Sequence, residues 1–170
     1  AFAADSKVSG FKVAGCDFHG NCAKTSGSAL WSHTSVSDIV LVSNCTFSSN
    51  GAYAGTTPNG VIDCFSNVVH CTFTGNTGKN GGAAYNSRLV GCSMAGNAAT
   101  EGGAANNSFL KGCLVENNES QRAGGAAYGS VLVSCTNRSN RAVASGKEYF
   151  TELSNGCEAE GCIFEFAGMD

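Results

Sequence analysis

Seven of the ten cysteines recur at a nearly regular interval, and thiols spaced in this way are candidates for soft-metal binding or for disulfides. The recurring cysteines are Cys16, Cys45, Cys71, Cys92, Cys113, Cys135 and Cys162. No histidine or carboxylate accompanies them at a spacing typical of metal ligands, and thiols at identical positions on stacked strands are poorly oriented for disulfides. We therefore expect a column of small buried core residues that holds no metal and no cofactor.

The other three cysteines, Cys22, Cys64 and Cys157, lie outside this register. Cys22 is close in sequence to Cys16, and Cys157 is close to Cys162. A disulfide near either end of the chain is therefore an alternative to the free thiols that we expect, and the redox state of these three cysteines stays open.

The cysteine spacing belongs to a repeat that is clearest between residues 81 and 140. GGAAYNSRLVGCSMAGN, GGAANNSFLKGCLVENN and GGAAYGSVLVSCTNRSN follow one another, and their cysteines are 21 and 22 residues apart. An aliphatic residue usually stands three positions before each cysteine, and Phe, Met or Val usually stands two positions after it. An asparagine stands five positions after six of the cysteines: Asn21, Asn50, Asn76, Asn97, Asn118 and Asn140. A period of about twenty residues is typical of a stacked solenoid.

These columns predict short strands joined by corners, because side chains on one face of a strand recur at every second residue. The parity breaks just before the cysteine, where Gly15, Gly91 and Gly112 suit a tight bend. We expect the asparagines to end the next strand in a left-handed conformation and to bond to one another along the axis. Each repeat is too short for a strand and a helix but fits one coil of three strands.

The predicted fold is therefore all-β: a right-handed parallel β-helix of about seven coils, with the hand taken from the general rule for parallel crossovers. Residues 1–170 form a single β-helix domain in this interpretation, and a segment of a longer solenoid is the alternative.

Three coils are longer than the repeat requires, and function in a solenoid tends to lie in such insertions. The insertions are loops 22–40, 51–59 and 141–156. Their candidate partner-binding residues are Trp31, His33 and Asp38 in the first loop, Tyr53 and Pro58 in the second, and Lys147 and Tyr149 in the third. Tyr85 and Tyr128 share a column in the minimal coils, and we expect them to face the core.

Composition and charge exclude several classes of function. The ten lysines and arginines are scattered and the net charge is −3, which argues against a nucleic-acid partner. No apolar stretch reaches the length of a membrane span. The aspartates, including Asp63, do not recur at one register, whereas catalysis on a polysaccharide needs clustered carboxylates.

The triplet Gly-Gly-Ala at 81–83, 102–104 and 124–126, together with F-x-x-N at 18–21, 47–50 and 73–76, resembles a known pair of repeats. These are the repeats of the polymorphic outer-membrane proteins, which are autotransporter passengers, and of related bacterial β-helix surface proteins. The resemblance implies an exported, extracellular or cell-surface β-helix that acts largely as an adhesin.

We therefore expect a non-catalytic module, adhesive or structural, whose partner is a protein or glycan on a host or neighbouring cell. One alternative is a subunit of an extracellular fibre that stacks end to end with copies of itself. A further alternative is a β-helix enzyme that processes polysaccharides.

Overall fold

The computed structural model describes residues 2–4, 12–32, 41–144, 147–149, 153–154 and 156–165. Within these ranges the chain forms 28 short strands and no helix. The candidate residues His33 and Asp38 lie outside the described residues. The strands wind as a right-handed parallel β-helix of seven coils, as the repeat predicts.

Each coil contributes one strand to each side of the helix, and we number the sheets in the order in which a coil passes through them. Sheet 1 contains Phe2–Ala4, Leu30–Ser32, Ile62–Asp63, Ala84–Tyr85, Ala105–Asn106, Ala127–Tyr128 and Leu153–Ser154. Sheet 2 contains Lys12–Ala14, Leu41–Ser43, Asn67–Val69, Arg88–Val90, Phe109–Lys111, Val131–Val133 and Glu158–Glu160. Sheet 3 contains Asp17–His19, Thr46–Ser48, Thr72–Thr74, Ser93–Ala95, Leu114–Glu116, Thr136–Arg138 and Ile163–Glu165.

A fourth side completes the coil, so the expectation of three strands per coil is wrong. This side consists of a two-stranded sheet, Cys22–Ala23 with Gly51–Ala52, and of sheet 4. Sheet 4 contains Thr77–Asn80, Ala98–Glu101, Glu119–Ala123, Arg141–Ala144 and Lys147–Tyr149. Sheet 4 gives little hydrophobic signal in the sequence because its buried positions hold small residues, such as Ala99 and Ser120.

Neighbouring coils pair in parallel and in register throughout sheets 1 to 3 of the described chain. Val42 pairs with Val68, for example, and Phe47 pairs with Phe73. The exceptions among the described pairs are on the fourth side. Lys147–Tyr149 runs antiparallel to Arg141–Ala144, and the pairing of Ala98–Glu101 with Glu119–Ala123 shifts register between Ala99 and Glu101.

The corner before each cysteine is made by one residue in the left-handed conformation. These residues are Gly15, Asn44, His70, Gly91, Gly112, Ser134 and Gly161, with φ between 51° and 61°. The predicted bend is therefore present in all seven coils, including the three in which a residue other than glycine accepts the strain.

The corner after sheet 3 corrects a second expectation. The left-handed residue there is the one before the asparagine, for example Gly75 or Asn117, and not the asparagine itself. The asparagine can then turn its side chain inward, where Asn76 and Asn118 are fully buried.

The interior is filled by columns of side chains that repeat from coil to coil. Aliphatic side chains such as Val68 and Leu89 line sheet 2, and the rings of Phe18, Phe47 and Phe73 stack beside sheet 3. Successive ring centroids are 4.8 Å apart, so each ring lies on the ring of the next coil. The column continues as Met94 and Val115 and then meets Asn137, whose Oδ1 is buried without a hydrogen-bond partner.

The Gly-Gly-Ala triplets form the corner between sheet 4 and sheet 1, where neighbouring coils approach most closely. A Cβ atom on Gly103 would collide with the carbonyl oxygen of Gly125 and with the backbone of Glu119 in the neighbouring coil. The triplet is therefore a requirement of close backbone packing.

Candidate functional site

The six asparagines form a continuous hydrogen-bonded column along the axis. The Oδ1 atom of Asn118 accepts from the backbone nitrogen of Asn97 at 2.9 Å and from its Nδ2 atom at 3.0 Å. Nδ2 of Asn118 donates to Oδ1 of Asn140 at 2.9 Å and to the carbonyl oxygen of Met94 at 2.9 Å. The same pattern links Asn21, Asn50, Asn76 and Asn97, so this buried amide column satisfies its own polar atoms.

The cysteine column also lies along the axis, and its thiols face backbone atoms. Sγ of Cys92 accepts from the backbone nitrogen of Cys71 at 3.5 Å and lies 3.6 Å from the carbonyl oxygen of Val68. Cys45, Cys71, Cys92, Cys113 and Cys135 are buried, whereas Cys16 is exposed and Cys162 is half-buried. Burial raises the pKa of the Cys45 thiol, so this group remains protonated at neutral pH. In the part of the chain that the structure describes, no three metal-ligating side chains come together.

Cys157 takes a position that serines hold in the preceding coils. Its Sγ atom accepts from the backbone nitrogen of Ser130 at 3.2 Å, just as the Ser130 hydroxyl accepts from the backbone nitrogen of Ser108 at 3.0 Å. No disulfide joins any two of the ten described cysteines, including Cys22 and Cys64. One coil departs from this serine column, because Phe65 and not Ser66 occupies the inward position.

The insertions lie at different places in the coil. Most of the first insertion is residues 33–40, which stand in the sequence between Leu30–Ser32 of sheet 1 and Leu41–Ser43 of sheet 2 and lie outside the described residues. The second insertion forms the corner between the fourth side and sheet 1, where residues 53–61 join Gly51–Ala52 to Ile62–Asp63. Residues 24–29 form the same corner in the preceding coil, and Gly-Gly-Ala forms it in the minimal coils. Residues 145–146, 150–152 and 155 of the third insertion lie outside the described residues. The sequence could not show these positions because it gives loop length and not the side of the coil.

Residues 24–29 and 53–61 lie against each other, and we call them together the ledge. The backbone nitrogen of Tyr53 donates to the carbonyl oxygen of Ala23 at 3.0 Å, and that of Asn59 donates to Thr25 at 3.1 Å. Tyr53 is 58% exposed, and the ammonium group of Lys24 lies 5.7 Å from its ring centroid. The ledge therefore presents one aromatic ring and one cation to solvent.

The remaining candidate loop residues have different surroundings. Pro58 lies within the ledge and is buried. Its carbonyl oxygen accepts a hydrogen bond from the backbone nitrogen of Lys79 at 2.7 Å, and this bond joins the ledge to the next coil. Lys147 and Tyr149 lie in the strand that folds back on Arg141–Ala144. Trp31 is half-buried and lies in sheet 1, beyond the ledge.

Trp31 begins a column of side chains on the outer surface of sheet 1. In the register of sheet 1, the residues paired in successive coils after Trp31 are Asp63, Tyr85, Asn106 and Tyr128. The two tyrosines are half-buried and take no part in the core, so the expectation that they face inward is wrong. A left-handed residue, Asn86 or Gly129, follows each tyrosine and shifts the parity, and the preceding alanine faces the core instead.

Asp63 is one of the aspartates that share no register in the sequence, and the structure shows that its carboxyl group is buried. It is 2% exposed, and Sγ of Cys64 donates to its Oδ1 atom at 3.0 Å. Burial raises the pKa of Asp63, and hydrogen bonds from the side chains of Cys64, Ser26 and Asn59 partly offset this increase. These bonds connect sheet 1 to the ledge. A single buried carboxyl group lacks the partner that general acid–base hydrolysis of a glycoside requires.

Comparison with known proteins agrees with the fold. Residues 70–87 match the Chlamydia polymorphic membrane protein repeat. The chain therefore resembles these repeats in sequence as well as in its β-helix, and the match points to a bacterial surface protein of the autotransporter type. The repeat family is one of non-enzymatic surface proteins. No curated protein and no solved structure shows significant similarity to the chain. In the described residues, no helix has the length and apolar character needed to cross a membrane.

Proposed function

We propose that this chain is a non-catalytic β-helix module of a bacterial cell surface and that it binds a protein or glycan of a host or neighbouring cell through its ledge. The observation that carries the proposal is the ledge, in which residues 24–29 and 53–61 lie against each other at one corner of the rod. A parallel β-helix with a satisfied amide column is a rigid support, and binding residues are commonly placed on loops that a rigid scaffold positions. The surface-protein repeat at residues 70–87 supports an extracellular location.

The ledge has the composition of a small recognition surface. Tyr53 provides a large exposed aromatic ring, and Lys24 provides a positive charge beside it. Tyrosine is one of the residue types enriched in the energetically important parts of interfaces. Backbone hydrogen bonds between the two segments hold this surface in place, so little ordering is required when a partner binds.

Adhesion of surface-immobilised chain to cultured epithelial cells and to bacterial cells tests the proposal. The double variant Lys24→Ala/Tyr53→Ala is expected to lose at least about fivefold in retained cells, because it removes the anchor and the charge. The matched control is Thr72→Ala/Thr74→Ala, which truncates two exposed side chains of sheet 3 away from the ledge. Equal retention by both variants, or by wild-type chain and an unrelated immobilised protein, would contradict the proposal.

Self-association is the second candidate function, and the last described coil favours it. Ile163 and Phe164 are 55% and 36% exposed there, although Phe164 occupies a column that is buried in earlier coils. Exposed strand edges of this kind can pair with another copy. Light scattering over a concentration series is expected to show rods that Ile163→Glu/Phe164→Glu abolishes. A monomer at every concentration would exclude this function.

A further inference from the structure

The outer column of sheet 1 alternates between aromatic and polar side chains. Trp31, Asp63, Tyr85, Asn106 and Tyr128 follow one another in five successive coils, and we call them the aromatic strip. The three aromatic residues are half-buried, so each presents part of its ring system to solvent, and the two polar residues lie deeper between them. The strip runs parallel to the axis, beside the corner from which the ledge projects.

The spacing of the rings follows from the coil repeat. Residues in alternate coils are separated by two strand spacings, which is roughly 9.6 Å. An extended β-linked polysaccharide presents the same face of its sugar rings at every second unit, at nearly this interval. The apolar face of a sugar ring stacks on an aromatic ring, so Trp31, Tyr85 and Tyr128 are placed to contact alternate sugars of one chain.

Asn106 adds a polar group to the strip. It is 6% exposed and is paired in register with Tyr85 on one side and Tyr128 on the other. Its position between Tyr85 and Tyr128 is where the hydroxyl groups of an intervening sugar would lie. One amide can both donate to and accept from such hydroxyl groups.

The charge of the strip restricts the ligand further. The column contains the carboxyl group of Asp63 and no lysine or arginine. An acidic glycan would therefore find no cation in the strip and would lie near a carboxyl group. A neutral polysaccharide fits both the rings and the amide of Asn106.

We propose that the aromatic strip binds a neutral, extended β-linked polysaccharide that lies along the helix axis. Tyr85 and Tyr128 stack on alternate sugars, and Asn106 hydrogen-bonds the sugar between them. Trp31 extends the site by two coils. This inference goes beyond the function proposed for the ledge, because none of its contacts requires Lys24 or Tyr53.

Calorimetric titration with the β-1,4-linked hexasaccharides of glucose and of N-acetylglucosamine tests the proposal. Maltohexaose, which is α-linked and curved, is the linkage control. At least one β-linked probe is expected to bind, with a change in fluorescence from Trp31, the single tryptophan of the chain. Tyr85→Ala, Tyr128→Ala and Asn106→Ala are each expected to weaken binding about tenfold.

Two further variants distinguish binding at the strip from binding at the ledge and from loss of the fold. Tyr85→Phe keeps the aromatic ring and removes the hydroxyl group, so it is expected to retain the affinity if stacking on the ring provides the contact. Tyr53→Ala removes an exposed tyrosine of the ledge and is expected to leave oligosaccharide binding unchanged. Circular dichroism of each variant checks that the coils remain folded.

The proposal would be overturned if neither β-linked hexasaccharide binds at millimolar concentration, or if both tyrosine-to-alanine variants bind as tightly as the wild-type chain. It would also be overturned if sedimentation shows a dimer that Tyr85→Ala disrupts, because the strip would then be an interface between copies. Adhesion through the ledge can persist in each of these cases, so the two proposals fail separately.

Discussion

Replacing Asn97 by alanine removes one complete link of the asparagine column. Oδ1 of Asn97 accepts from the backbone nitrogen and the Nδ2 atom of Asn76, at 3.0 and 2.9 Å. Its Nδ2 atom donates to Oδ1 of Asn118 at 3.0 Å and to the carbonyl oxygen of Phe73 at 3.1 Å. The substitution therefore deletes four hydrogen bonds in a site that is fully buried.

The loss in the free energy of unfolding follows from the hydrogen bonds that Asn97→Ala removes and from the groups that it leaves without a partner. Each lost bond is worth about 1 kcal/mol net, which gives a loss of about 4 kcal/mol in the free energy of unfolding. Two N–H groups of Asn76 are then buried without an acceptor, which raises the loss toward about 6 kcal/mol. A domain of ordinary stability has only about 5 to 15 kcal/mol in total, so the variant is expected to be marginally folded.

Guanidinium unfolding followed by far-ultraviolet circular dichroism measures this loss, and two other asparagines supply controls. Asn21→Ala breaks only the bond to Asn50 and a weak contact with the carbonyl of His19, so we expect about 1 kcal/mol. Asn67→Ala lies on the outer side of sheet 2 and is expected to change stability by less than about 0.5 kcal/mol. The reasoning is refuted if Asn97→Ala is no more destabilising than Asn21→Ala.

Three further predictions follow from the same structure. Gly103→Ala is expected to lower the thermal midpoint well below that of Gly75→Ala, because a Cβ atom at Gly103 would meet the backbone of the adjacent coil. A Cβ atom at Gly75 has open space, so that variant has only the cost of a left-handed residue, about 1 to 2 kcal/mol. Equal midpoints would argue against close packing at the corner of Gly103. Burial raises the pKa of Asp63 above its unfolded value, so its stabilising contribution is complete below the unfolded pKa and is lost as pH rises through the folded pKa. Asp63→Asn is therefore expected to gain stability relative to wild type as the pH rises above the unfolded pKa, about 4, in denaturant titrations, and a pH-independent difference would contradict the assignment. Thiol titration with Ellman's reagent is expected to label Cys16 and Cys22 rapidly and the five buried cysteines only in denaturant, and rapid labelling of Cys92 in native buffer would refute the burial of the column.

The fold was predictable because its signals are repeated. Residues in one core column of a solenoid have the same local environment in every coil. Val68, Leu89 and Leu110 can therefore be recognised together as a buried column, although each residue alone is uninformative. The bend before the cysteine was predictable for a similar reason, since glycine marks it in several coils.

The errors arose where a corner changes the parity of the chain. Tyr85 shares parity with Ser87 in the sequence, but the left-handed Asn86 between them reverses the direction of the side chain, so a continuous strand was the wrong assumption. The fourth side was missed because an alanine or serine such as Ala99 is enough to fill the core there.

The candidate site was harder to predict than the fold. The loop residues were located by insertion length, but the side of the coil on which each one lies depends on where each strand ends. Asp63 and Asn106 gave no sequence signal, because their environment is set by residues in neighbouring coils. The aromatic strip becomes visible only when the coils are stacked.

The asparagine column also makes the rod electrically polar. In the links between asparagines, Nδ2 of one residue donates to Oδ1 of the asparagine in the next coil toward the C-terminus, as from Asn50 to Asn76 and from Asn97 to Asn118. The amide dipoles therefore add along the axis, with partial negative charge toward Asn21 and partial positive charge toward Asn140, and they polarise one another through the dry interior. Reversing one coil would place two amide oxygens or two amide nitrogens face to face. Any coil that extends this column must therefore join it head to tail, in the same direction and register as the coils before it.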